Sequence, residues 1–251
     1  MTYRELLARN RDFRRLWTGQ VVSEIGDWLN NIAVLALAIE LAGPARQGRA
    51  IAVYAIARHL PLFLFGPVAG VVVDRKDRRR VMITADVARA VLALGFLLAQ
   101  RFSSLPFIYA VGAALFSLSA FFNAAKRATL PNLVTRTDDL LVANSLSAST
   151  TAGTIAVGSA LGGLVATFIG RETVFVINAA TFVVSAEMIR RIRPIADYGL
   201  RIADSKTWNG ERGVSRQEPQ ILSPELEVSS GQSVNSARSR RFQSTIRNPQ
   251  S

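Results

Sequence analysis

The chain has 251 residues, 49% of them hydrophobic, and carries 30 Lys and Arg against 18 Asp and Glu, a formal charge of +12. With no cysteine and a single histidine it has no disulfide framework, no thiol nucleophile, no cysteine-ligated metal and little scope for other metal sites. Of the charged residues, 22 basic and 12 acidic ones precede Asp197; they punctuate apolar runs with few aromatics among them, which argues against nucleic acid as a partner.

In chain order, Met1 to Arg15 is polar and basic, and residues 1–15 read as a short cytoplasmic segment. The apolar run behind it is too long for a secretory signal and has no small-residue cleavage site, so it reads as an uncleaved first span. Six spans emerge at the length a bilayer requires, about 20 residues each: Leu16–Ala42, Ala50–Val73, Val81–Gln100, Leu105–Ala125, Leu141–Ile169 and Thr173–Ile189. Gly43-Pro44 ends the first, Ser103-Ser104 separates the third from the fourth, and Gly170-Arg171-Glu172 separates the fifth from the sixth. Nothing alternates with the two-residue period of a barrel strand, so helices are expected throughout residues 16–193. From 194 to 251 no run reaches spanning length, and Ser, Arg, Gln, Asn, Glu and Pro dominate, the composition of a disordered tail.

The most charged connector is Asp74-Arg75-Lys76-Asp77-Arg78-Arg79-Arg80, in which five of seven residues are cationic. Cations on tight loops mark the cytoplasmic side. Counting alternate connectors gives 16 Lys and Arg on the side of the two ends and 4 on the other, so both ends are expected in the cytoplasm of a plasma or inner membrane protein.

Charged groups inside spans cost several kcal/mol unless paired or facing water, which makes each a candidate for function. Glu24 and Asp27 stand three apart on one helix face, with Asn30 and Asn31 a turn further on. Asp27 falls roughly 15 Å into the membrane. Arg58 reaches a comparable depth from the other direction, which invites a buried pair of Arg58 with Asp27 or Glu24. Two readings stay open: a structural pair locking the first two spans, or a carboxylate that carries a proton during transport. Asp86 and Arg89 are also three apart, nearer the basic end of span three, and His59 reads as either a proton relay or a hydrogen-bonded packing residue. Gly158, Gly162 and Gly163 lie among small residues of span five, the spacing that lets helix backbones touch.

Gly70-x-x-x-Asp74-Arg75-x-x-Arg78-Arg79 between spans two and three resembles motif A of the major facilitator superfamily. The resemblance implies that Gly70 permits close helix approach and that Asp74, Arg75, Arg78 and Arg79 form a cytoplasmic charge latch, extended by Asp86 and Arg89. Asp77 stands where many members have glycine. Ser23-x-x-Gly26-Asp27, Pro61-x-x-x-x-Gly66-Pro67, Asp86-x-x-Arg89, Pro131-Asn-Leu-Val134 with Ala143-Asn144-Ser145, and Phe175-x-x-Asn178-Ala179 resemble the branch with the enterobactin exporter and macrolide-efflux proteins. Gly158-Ser159-Ala160-Leu161-Gly162-Gly163 partly resembles the antiporter motif C, with Ser159 in place of its proline.

The resemblance implies an all-α membrane fold in which these six helices form one half, a 3+3 repeat, of a two-half permease. The implied activity is efflux of a small amphiphile such as a drug, macrolide or siderophore, coupled to protons, without cofactor or metal. The implied partners are lipid, substrate, protons and a second six-helix half or a second copy. The alternative is a truncated or relic half, with a tail that could derive from a shifted reading frame, inactive in transport alone and acting as a membrane interaction or regulatory protein. An ABC exporter half would need a phosphate-binding Gly-x-x-x-x-Gly-Lys-Ser/Thr loop, and an intramembrane serine protease a placed Ser–His dyad; neither is present.

Overall fold

The computed structural model describes residues 2–134 and 136–193, and the expected polar tail lies outside them. The turn signals of the sequence become helix ends. Thr2 and Glu5 form a capping box on α1 (Tyr3–Arg9), and the Asn10 side chain accepts from Phe13 N at 2.9 Å to start α2 (Arg11–Ala42). Gly43, at φ 71°, ends α2 in a conformation open to few other residues. A 3-10 turn (Pro44–Arg46) leads to α3 (Gln47–Arg75), and Asp77 then caps α4 (Arg78–Arg101) by accepting from Arg79 N and Arg80 N. α5 (Leu105–Leu133), α6 (Thr137–Phe168) and α7 (Arg171–Arg190) complete the chain order, with Gly170 at φ 102° between the last two.

Six helices, α2 to α7, are long and apolar enough to cross a membrane, and no strand occurs among the described residues. The protein is an all-α, multi-pass membrane protein. Three boundaries differ from the apolar runs by about four residues or more. The segment before residue 16 is helical, α5 continues past Lys126 and Arg127 to Leu133, and α6 begins at Thr137 instead of Leu141. Helical hydrogen bonding does not stop where hydropathy falls, and the extensions are held from within: Phe13 and Leu16 are buried, and Asn10 Nδ2 donates to Leu133 O at 2.7 Å.

The first three spans and the last three exchange partners. α2 packs on α6 and α7, α5 packs on α3 and α4, and α4 meets α7. Swapping α2 with α5, α3 with α6 and α4 with α7 maps these contacts onto themselves, as two three-helix repeats about a pseudo-twofold axis would. α2 exposes none of its large apolar side chains and α5 only Phe107, at its start, whereas α3, α4, α6 and α7 expose many, including Phe63, Leu98, Phe168 and Val183. The two repeat-initiating helices are therefore central, and the other four carry the lipid-facing surface.

Packing divides into two apolar clusters. One, with Phe96, Phe175 and Phe182, fills the end away from the Asp74–Arg80 loop; the other, with Phe13, Met82 and Ile189, fills the end beside it. Between them lies a buried polar layer.

Candidate functional site: a charge layer between two apolar clusters

α2 can supply this layer because glycine lets its neighbours close in. A Cβ on Gly158 would stand 2.6 Å from Trp28 Cβ, and one on Gly162 would stand 2.9 Å from Leu29 Cα, so α6 touches the α2 backbone as its spacing predicts. Gly163 and Gly70 differ from expectation: an added Cβ at either meets nothing within 4 Å among the described residues. Gly163 is turned off the contact by one residue's 100° of helix rotation. A contact that sequence reasoning missed is Gly26, where a Cβ would fall 2.1 Å from Thr181 Oγ1 and 2.7 Å from Asn178 Oδ1 of α7. Its signal was Gly19, seven residues or two turns earlier on the same face, which also packs against α7.

Glu24 and Asp27 leave α2 in different directions. Glu24 Oε1 accepts from Gln20 Nε2 at 2.8 Å and lies 3.6 Å from Lys126 Nζ of α5, while its Oε2 has the Thr151 and Thr154 hydroxyls of α6 at 3.1 Å. Lys126, a connector cation in the sequence reading, is thus an inward-facing partner. Asp27 Oδ2 lies 3.8 Å from Arg89 Nη1 of α4. Arg89 also donates to Asp86 Oδ1 and, at 3.4 Å, to Ser119 Oγ of α5. Its guanidinium carbon lies over both the Phe122 and Phe182 rings, 4.3 and 4.5 Å from their centroids. Asp86 is fully buried and Arg89 nearly so. Asp27 Oδ1, Asp86 Oδ2 and Arg89 Nε have no protein hydrogen-bond partner, so the network is compact but not saturated.

Two expected arrangements do not form. Arg58 forms an ion pair with neither Glu24 nor Asp27; its guanidinium carbon lies over the rings of Trp28 of α2 and Phe116 of α5, at 4.6 and 4.7 Å from the centroids. The carboxylates are engaged by Lys126 and Arg89 instead. Asn31 accepts from Tyr54 Oη at 3.0 Å, and His59 bonds the Ala55 carbonyl of its own helix at 2.9 Å. Nor do Asp86 and Arg89 extend a latch from Asp74 and Arg78. Eight residues of helix separate Arg78 from Asp86, about 12 Å along the axis. Arg78 donates instead to Ala128 O of α5 at 2.7 Å, and Arg79 to Ile189 O at 3.3 Å and to Arg190 O at the end of α7. Asp74 and Arg75 are exposed and have no ion pair among the described residues.

A layer of six buried or half-buried charges thus lies inside a six-span bundle with a basic loop after the second span. The sequence profile of the transmembrane secretion effector family matches residues 7–199. The chain belongs to this family of the major facilitator superfamily. The chain is 28% identical over 184 residues to the uncharacterised transporter YfiS of Bacillus subtilis, covering 73% of this chain and 43% of the relative. It is 33% identical over 176 residues to a Bacillus amyloliquefaciens protein named as a bacilysin exporter, BacE (70% and 42%). It is also 33% identical over 125 residues to macrolide efflux protein A of Streptococcus pyogenes (49% and 30%). The chain spans less than half the length of each of these relatives. No solved structure matches it.

Proposed function

We propose that this chain carries out exporter-type transport of a small amphiphilic molecule across the plasma or inner membrane, both ends of its span bundle cytoplasmic, with protons as the coupling ion. The observation that carries the reading is the position of Glu24 and Asp27: both stand on the central helix α2, and each is held by a cation from a different helix. Protonating Glu24 would release Lys126 and loosen α2 from α5; protonating Asp27 would leave Arg89 to Asp86 and loosen α2 from α4. A proton thereby becomes a change in helix contacts, which is what alternating access requires. Asp74, Arg75, Arg78 and Arg79 are the proposed latch at the cytoplasmic end; Asp74 and Arg75, unpaired among the described residues, would answer to a partner surface.

The test is efflux of a radiolabelled macrolide, and separately of a carboxylate-bearing amphiphile such as dansylglycine, from cells of a pump-deficient host carrying the full chain, with and without an imposed pH gradient. Glu24→Gln and Asp27→Asn are expected to abolish the response to the gradient. Gradient-driven efflux that survives both substitutions sinks proton coupling through this layer.

A second reading is favoured by the coverage of the relatives: the six helices act only with a second six-helix half, or with a second copy of themselves. Efflux that appears only when the C-terminal half of a relative is co-expressed would establish the first form, and an obligate dimer active alone the second. Absence of efflux in both settings leaves an interaction or regulatory role.

A further inference from the structure

The charge layer contains the same device twice. Arg89 lies over Phe122 and Phe182, and Arg58 lies over Trp28 and Phe116, each guanidinium within 4.7 Å of two ring centroids. The two differ in closure. Arg89 is 3% exposed and serves two carboxylates. Arg58, Trp28 and Phe116 are all half-exposed, and Arg58 has no ion pair among the described residues. Asp27, which is within electrostatic reach of Arg58, is engaged by Arg89, and Tyr54, one turn before Arg58, donates to Asn31 and presents its hydroxyl oxygen to Arg58.

A guanidinium stacks through its faces and hydrogen-bonds through its edge. Two rings lie against the guanidinium, so its hydrogen bonding is directed through its edge, where the donors beyond the one facing Tyr54 are left for a bidentate acceptor, the geometry a carboxylate matches. The three helices that hold it, α2, α3 and α5, include both central helices, so the fork stands at the meeting of the two repeats. A cation at this depth needs a counter-charge.

We propose that Arg58, held against Trp28 and Phe116, binds the carboxylate of the transported molecule, which makes the substrate class a zwitterionic or anionic amphiphile whose apolar body lies along the two rings. This rests on the reading of the chain as a small-molecule transporter.

The test uses two probes with one fluorophore and opposite charge. Dansylglycine carries a carboxylate and dansylcadaverine an amine. Both are titrated onto the purified full chain in nanodiscs, and energy transfer from tryptophan is followed; Trp28 is the donor nearest the site. A charge-assisted bidentate contact is expected to make dansylglycine at least about 10-fold the tighter ligand. Arg58→Gln is expected to remove about that factor and leave dansylcadaverine unchanged. Arg58→Lys, which keeps the charge and loses the fork, is expected to fall between, and guards against a folding defect in the Gln variant. Saturable dansylcadaverine binding as tight as dansylglycine, with Arg58→Gln silent, overturns the charge class while leaving a small-molecule site in place. No saturable transfer from either probe overturns the site itself, whatever the pH-gradient experiment shows.

Discussion

Gly162 and Gly163 are adjacent, chemically identical and on the same helix, yet their surroundings are opposite. A methyl group on Gly162 would lie 2.9 Å from Leu29 Cα and 3.0 Å from Leu29 O, both backbone atoms of the central helix. Ordinary contact is about 3.5 to 4.0 Å, so α6 must retreat from α2 by roughly half an ångström to one ångström. Overpacking of that kind costs about 1 to 3 kcal/mol. At about 2 to 4 °C per kcal/mol for a domain of this size, Gly162→Ala is expected to lower the apparent Tm by about 2 to 12 °C. Gly163→Ala meets nothing within 4 Å, and exchanging glycine for alanine in a helix is worth up to about 1 kcal/mol of stability. Its Tm is expected to stay level or rise by a few degrees. Both variants are purified in the same detergent, and unfolding is followed by intrinsic tryptophan fluorescence and by loss of the monodisperse elution peak. Equal destabilisation by the two alanines would refute the α2–α6 contact, because only a general intolerance of added bulk on α6 could produce it.

Arg89→Met removes the one cation that serves both Asp27 and Asp86 and is expected to cost about 3 to 5 kcal/mol; adding Asp27→Asn and Asp86→Asn should recover part of it in thermal unfolding. A double-mutant cycle on Glu24→Gln and Lys126→Gln is expected to return a coupling of about 1 kcal/mol, and a value of zero would show that the 3.6 Å approach is not an energetic pair. Asp77→Ala deletes the α4 cap and is expected to lower stability by about 1 kcal/mol, whereas Asp77→Asn, which keeps an acceptor, should lie close to the parent in the same melt.

The number of spans and their connectors were legible because each is a one-dimensional signal: hydropathy over a bilayer's length, broken by Gly, Pro or Ser. Helix ends were less so, since the apolar run stops at Lys126 while the hydrogen-bonded helix runs on to Leu133. Within the site, depth could be read from the chain but azimuth could not. Arg58 was placed beside Asp27 by depth alone, and rotation about the α3 axis sends it instead over Trp28 and Phe116. Lys126 was counted with the connector charges because it sits next to Arg127, although its side chain turns inward to Glu24. Asp86 and Arg89, expected to extend the latch, instead pair with each other, and the reach of Arg89 to Asp27 depends on the length of the arginine across a helix junction that no spacing encodes.

Six charges in one layer are a costly way to hold helices together, because well-packed apolar groups of the same volume are often as stabilising as a buried ion network or more so. The apolar clusters on both sides already supply that packing, so the layer is better understood through what separates its pairs. Glu24 and Lys126 join α2 to α5, one repeat to the other; Asp27 and Arg89 join α2 to α4, within the first repeat. Neutralising the two carboxylates must therefore loosen different seams. In hydrogen–deuterium exchange of the full chain in nanodiscs, Glu24→Gln is expected to raise exchange along α5 near Lys126, and Asp27→Asn along α4 near Arg89. The same pattern from both variants would mean that the layer moves as one rigid block, and the separate roles given to the two carboxylates would have to be abandoned.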